Sequence, residues 1–259
     1  MVERSIGHNL EVTKRYHANW LDVSPACLDA PGIVTVPSPK REIRQTGYGR
    51  RFDLYAFVAG QTTIISYHRR LEERMETIRA VFADSPDADT ACGRLSEECG
   101  WQSAHAFKHA FKYVFAGLPS GLGTEAARCL TGGDYADFLR FHQEQYPAGG
   151  QETWLEEYYS GLVAQGCVYG IYADGHLVSA TDMPDVPYMA DEVAEPGINT
   201  LEGYRRRGYA RIAVGALLEH LLEMGRVPLW SCDAGNVASQ RLAESVGFRK
   251  LADVIAVTL

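Results

Sequence analysis

With 259 residues, 46% of them hydrophobic and 22% charged, the chain can bury a sizeable core in one large domain or two small ones. A formal net charge of -8, with its one basic cluster at Arg205–Arg207, argues against a general nucleic-acid binder. No stretch is apolar and long enough to span a bilayer, and the opening MVERSIGHNLEV lacks a signal-peptide core. The six cysteines form neither a CxxC pair nor a tight framework, so reduced, packed thiols in a cytoplasmic protein are expected.

The first 35 residues or so alternate helix-like patches with turns, and PGIVTVPSPKREIRQTGYGRR (31–51) is punctuated by Pro and Gly. FDLYAFVAGQTTIISYH (52–68) predicts two short strands around Gly60. In RRLEERMETIRAVF, the positions of Leu71, Met75, Ile78 and Phe82 predict an amphipathic helix. DSPDADTACG (84–93) reads as a loop and HAFKHAFKYVFAGL (105–118) as another helix, closing at PSGLG, where a domain junction is expected near Ser120–Thr124. Then come a strand end and helix in ARCLTGGDYADFLRFHQEQY, with Asp134 as N-cap, and a second helix in ETWLEEYYSGLVAQG. CVYGIYADGHLVSATDMP predicts a hairpin turning at Asp174-Gly175. The rest, from EVAEPGINTLEGY to the final FRKLADVIAVTL, reads strand–helix–strand–helix–strand, which makes a mixed α/β sheet.

The arginine cluster runs into Gly208 and Ala210 just before the helix RIAVGALLEHLLEMG. A strand turning into a helix leaves backbone N–H groups unpaired at the helix start, and these with the helix dipole attract an anion. Gly208 lets a phosphate approach the backbone, and the arginines add bidentate donors. Neither a Walker loop nor a dinucleotide fingerprint is present, and a solvated charge run before a helix is the plain alternative. Arg205-x-x-Gly208-x-Ala210, followed downstream by NVASQRLAESVGF, resembles the two signatures of the GNAT acetyltransferase superfamily over roughly residues 126–259. PLWSCDAGNVASQRLAESVGF looks, more narrowly, like the zwittermicin-resistance-type acetyltransferases.

The resemblance implies a GNAT-like mixed, splayed β-sheet flanked by helices in residues 124–259, preceded by a smaller α+β N-terminal domain in residues 1–123. It implies acetyl-CoA as co-substrate, no metal, and transfer of the acetyl group to a primary amine by direct attack. Ile198, Asn199 and Thr200 would pair with the pantetheine arm. Arg205, Arg206, Arg207, Gly208, Tyr209, Ala210 and Arg211 would hold the pyrophosphate, and Asn236 would contact the cofactor arm. Pro196-Gly197 interrupts its strand, as a bulge at the splay would. Glu195 matches a general base, with Asp182 the alternative.

The family's usual acid, a tyrosine, falls at Ala243, and Ser231 stands where the narrower subgroup tends to carry Asp. Asp233 and Tyr172 are the substitutes the sequence offers for the acid. The missing tyrosine leaves open a catalytically silent CoA-binding or regulatory module; a protein or peptide N-acetyltransferase and, more remotely, a nucleotide-binding protein of another fold are further alternatives. His105 and His109 stand four apart but lack a third metal ligand, Cys232 reads as a packed thiol, and Trp154, Tyr158 and Tyr159 as helix packing.

The expected partners are a small-molecule amine, polyamine-like or aminoglycoside-like if the cleft is acidic, with no nucleic acid and no membrane. The chain after the last strand is too short for the sheet's customary closing strand, so the N-terminal domain or a second copy in a homodimer is expected to cover that edge. The N-terminal domain is expected to pack over the acceptor side, and residues 124–259 alone to bind acetyl-CoA without using the true acceptor.

Overall fold

The computed structural model describes residues 6–101, 107–147 and 153–259. In chain order the elements are α1 (Ile6–Leu21), β1 (Gly32–Pro37), β2 (Leu54–Ala59), β3 (Thr62–Tyr67), α2 (Met75–Asp84), α3 (Ala88–Glu98) and β4 (Phe107–Phe115). They continue with β5 (Arg128–Cys129), α4 (Tyr135–Gln145), α5 (Leu155–Ala164), β6 (Tyr169–Ala173), β7 (His176–Asp182), β8 (Val193–Ala194) and β9 (Gly197–Thr200). The series closes with α6 (Tyr209–Glu223), β10 (Val227–Asp233), α7 (Val237–Ser245) and β11 (Phe248–Val257).

Two of the expected elements differ. The segment read as a loop at 84–93 opens α3, where Asp87 caps the helix by accepting from the Thr90 N–H at 2.8 Å. The expected helix at 105–118 is strand β4; His105 lies outside the described residues. Among the described residues no group of three or more His, Cys, Asp and Glu is placed to hold a metal. No described helix is long and apolar enough to cross a membrane.

The strands form a mixed α/β arrangement of two sheets. The larger runs β1-β3-β2-β11-β4-β10-β8, the smaller β5-β6-β7-β9. β4 lies antiparallel to β10 on one side and to β11 on the other. The edge that was expected to need covering is therefore filled by the chain's own N-terminal part. For the same reason the expected boundary at 123/124 does not coincide with a boundary between sheets. β11 is hydrogen-bonded to β2 and β4 at once.

Alternation along β4 separates the faces of the large sheet. Tyr113 and Phe115 point to α6 and α7, packing with Val214, Leu218, Trp230 and Phe248. On the opposite face α1 packs Val12 and Tyr16 against Val193, Val227 and Leu229, and Trp20 and Leu21 against Tyr55, Phe57 and Val254. α2 and α3 cover the far end through Ile78, Val81 and Leu95 over Ile65 and Ile255. The small sheet has a separate core with α4, α5 and α6, centred on Phe138, Tyr159, Val178 and Ala213.

Candidate active site

The two sheets part at Glu195-Pro196. β8, before the pair, runs parallel to β10 in the large sheet, whereas β9, after it, runs antiparallel to β7 in the small one. The splay expected from Pro196-Gly197 is there. Gly197 is required by its neighbour across the strands, for a Cβ at that position would lie 1.6 Å from Oδ1 of Asp182. β9 is paired with β7 along Gly197–Thr200, and its other edge is paired with no strand among the described residues. That edge holds the backbone groups of Ile198, Asn199 and Thr200.

From β9 the chain makes a short turn into α6. Arg206 (φ 62°) and Gly208 (φ 84°) both have left-handed backbone, a conformation glycine adopts freely and arginine only under constraint. The space beside the Gly208 Cα is open. α6 begins at Tyr209, Ala210 and Arg211, so its first-turn N–H groups point out beside this turn. Arg205, Arg206 and Arg207 are exposed. Two of them are held by backbone: Arg205 Nε donates to Thr200 O at 3.1 Å and Arg207 to Gly203 O at 3.1 Å. Arg211 Nε reaches Ser245 O at 3.4 Å, tying α6 to α7.

Glu195 accepts a short hydrogen bond from Ser231 Oγ on β10, so its carboxylate sits across the splay. Asp182, at the end of β7, faces the other side of Gly197, and burial pushes its pKa up to about 6. Asp182 and Asn199 line a cleft of about 620 Å³ beneath α4 and α5, together with Phe138, Trp154 and Tyr158. Asn236 caps α7, its Oδ1 accepting from the Ser239 N–H at 3.1 Å, and lines a second cavity of about 260 Å³ on the α1 face of the large sheet.

Residues 141–254 match the family model described as GNAT acetyltransferase. Over that segment the chain is similar to the GNAT acetyltransferases. The uncharacterized N-acetyltransferase YdfB of Bacillus subtilis is 29% identical over 104 residues, 39% of this chain and 39% of its own length. The similarity to this relative thus spans well under half of either protein. Among solved structures, a GNAT-family acetyltransferase from Colwellia psychrerythraea aligns with TM-score 0.49 at 19% identity, covering 62% of this chain and 60% of its own. A GCN5-related N-acetyltransferase-like protein from Streptococcus suis aligns with TM-score 0.42 at 18% identity, covering 79% and 83%.

Within the matched segment Glu195 reaches Ser231, which lines the second cavity with Asn236, and the arginine turn follows the end of β9. The substitutes for the missing tyrosine fare differently. Ala243 is the fully buried residue of α7, packed against the large sheet. Tyr172 is remote from the splay, bonded to Arg128 and Asp137 at 2.8 and 3.1 Å. Asp233 lines the second cavity but is paired with Lys108 at 2.9 Å. Cys232 is buried against Tyr113, as expected for a packed thiol.

The sequence reading passed over Lys112, Tyr48 and Tyr55, which line that second cavity with Ser231. Lys112 is 8% exposed on the interior strand β4, and its ammonium shares the cavity with the hydroxyls of Tyr48 and Tyr55. Burial alone would lower its pKa, but the tyrosine oxygens and Glu195 outweigh burial and raise it, so the ammonium stays charged. Its one sequence signal is a lysine inside the apolar run AFKYVF.

Proposed function

We propose that the chain is an acetyl-CoA-dependent N-acetyltransferase that acts on a small-molecule amine. Within the family we read it as a zwittermicin-resistance-type enzyme, on the string PLWSCDAGNVASQRLAESVGF. The observation that carries the reading is the continuous path from the unpaired β9 edge, beside Glu195, to the left-handed Arg206–Gly208 turn and the start of α6. Acetyl-CoA would supply a thioester acetyl group there. The backbone of Ile198–Thr200 offers strand-like pairing to an extended amide-containing arm. The open turn at Gly208, the N–H groups of Tyr209–Arg211 and the arginines suit a pyrophosphate.

Glu195 acts as the base. Its carboxylate takes a proton from the attacking amine nitrogen, directly or through one water, and the Ser231 hydroxyl fixes its orientation. The nitrogen then bonds to the acyl carbon as the carbon–sulfur bond breaks, and the departing sulfur leaves as thiolate. A thiol pKa near ~8.5 makes that thiolate a tolerable leaving group without the tyrosine that Ala243 replaces.

Three substitutions test this in the full chain. Gly208→Val puts a branched side chain at a left-handed position and should abolish acetyl-CoA binding by calorimetry without loss of fold; unchanged affinity would sink the turn assignment. Glu195→Gln should lower kcat by roughly 10²–10⁴-fold with acetyl-CoA affinity unchanged. Asp182 is the second candidate, favoured by its raised pKa and its place in the cleft. If it is the base, kcat/KM will rise with pH through about 6 in the parent. In that case Asp182→Asn, rather than Glu195→Gln, will remove the activity. A parent that binds acetyl-CoA but releases no thiol with any amine would be a silent CoA-binding module.

A further inference from the structure

The cavity on the α1 face is a built feature of the large sheet. Its floor holds Ala110 on β4 and Ala256 on β11, small residues that leave a depression, and its wall holds Tyr48, Phe52 and Tyr55. Lys112 rises from this floor. It is the cross-strand partner of Ser231, and Ser231 holds Glu195. The expected base and a buried cation thus flank one serine, on neighbouring strands where directly paired residues lie about 5 Å apart.

The charge on this face is in excess. Lys112 is in no ion pair among the described residues, and the Glu195 carboxylate acts on it from beyond Ser231. Behind Tyr55, Arg41 is fully buried over the rings of Trp20 and Tyr55, at 5.2 and 5.5 Å. Its Nη2 donates to Trp20 O at 2.9 Å, but Nε and Nη1 have no hydrogen-bond partner. Lys108 is neutralised by Asp233. His17 is kept neutral, first by burial and then by the Lys112 charge. Asp22 acts on Arg41, so Lys112 is left facing a single carboxylate, Glu195, in a chain whose net charge is -8. Taking a charge out of water is costly, and an apolar residue of similar volume at position 112 would avoid that cost. A lysine there suits a ligand that brings the missing negative charge.

We propose that this cavity is the anion subsite of the acceptor, so that the amine delivered to Glu195 carries a carboxylate or phosphonate a few bonds away, held by the Lys112 ammonium and the Tyr48 and Tyr55 hydroxyls. The inference rests on the acetyl-transfer reading and narrows its substrate to zwitterions of amino-acid size, in keeping with a cavity of about 260 Å³. It replaces the polyamine-like or aminoglycoside-like acceptor expected of an acidic cleft, because the Lys112 charge lies beside Glu195. Tyr48 and Tyr55 come from the N-terminal part of the chain, so that part selects the acceptor.

The test pairs each amino acid with its decarboxylated amine, and β-alanine with 2-aminoethylphosphonate and propylamine, using the full chain, acetyl-CoA and thiol release. The acid members should be used with the higher kcat/KM, and the carboxylate and phosphonate arms show which anion fits. Lys112→Met should lower kcat/KM on the preferred acid by about 30-fold or more, mainly through KM, and collapse the preference over the matched amine. Lys112→Arg should restore part of it, and thermal melts of both variants check the fold. Calorimetry of the same acids with the acetyl-CoA-loaded chain separates the two claims. Heat of binding that Lys112→Met abolishes supports the subsite even if no acetyl group moves, in which case the acetyl-transfer reading fails alone. Equal use of acids and neutral amines, a preference that survives Lys112→Met, or no acid binding to the parent overturns the subsite.

Discussion

His17, 3% exposed on α1 with its ring 5.0 Å from Phe57, has its pKa depressed to about 3 by burial and then by the Lys112 charge. In the unfolded chain a histidine titrates near ~6.5. Between those values the unfolded state binds a proton that the folded state excludes. The fold therefore weakens as pH falls below about 6.5, by up to ~1.4 kcal/mol per pH unit from this group. His17→Gln should flatten the slope of unfolding free energy against pH between 6 and 4, measured by urea titration. An unchanged slope would show that His17 takes up its proton without unfolding. At this scale the site was partly legible. Glu195 and the arginine turn are local strings, and strings survive folding. Lys112 was not, because its meaning depends on Tyr48, Tyr55 and Ser231, which only the sheet brings to its side.

Elements are coupled by a second histidine with the opposite linkage. His109 on β4 contacts Asp253 on β11 at 2.8 Å through Nε2, and Asp89 in the first turn of α3 at 2.7 Å through Nδ1. Its pKa is raised, chiefly by the hydrogen bond to Asp253. Its contribution to stability is thus full below about 6.5 and is lost as pH rises through the elevated value. His109→Asn should remove the loss of stability on going from pH 6 to 8 and lower the melting temperature mainly at pH 6. Asp89 is largely exposed, so most of the effect should follow Asp253→Asn rather than Asp89→Asn.

The misread elements lie on either side of this contact. HAFKHAFK repeats every four residues, a spacing close to one helical turn that also fits an alternating strand. Pairing with β10 and β11 decides for the strand. In 84–93 the polar and proline residues hid the Asp87 cap, while the helix's buried Ala88, Ala91 and Leu95 make a thin apolar stripe.

At the scale of the molecule, the mixed α/β character and the order of elements in the second half could be read from periodicity and turn residues. The sharing of one sheet between the two halves could not, since strand neighbours are chosen by long-range packing. Residues 124–259 alone would leave both edges of β11 unpaired and uncover Trp230 and Phe248, which pack with Tyr113 and Phe115. That fragment should aggregate or melt without a cooperative transition, in contrast to the self-sufficient cofactor-binding piece expected from the sequence. A soluble fragment with a sharp calorimetric melt would contradict the shared sheet.

The place of β11 between β2 and β4 also bears on how the protein is made. A ribosome delivers β2 and β4 well over a hundred residues before the strand that must slot between them. Until then two hydrogen-bonding edges stand open in the nascent chain, and pairs so distant in sequence close slowly. The large sheet, and with it the cavity that Lys112 shares with Ala256, is completed only at the last strand. On the acceptor reading proposed above, the selecting cavity takes shape only once β11 has joined β2 and β4.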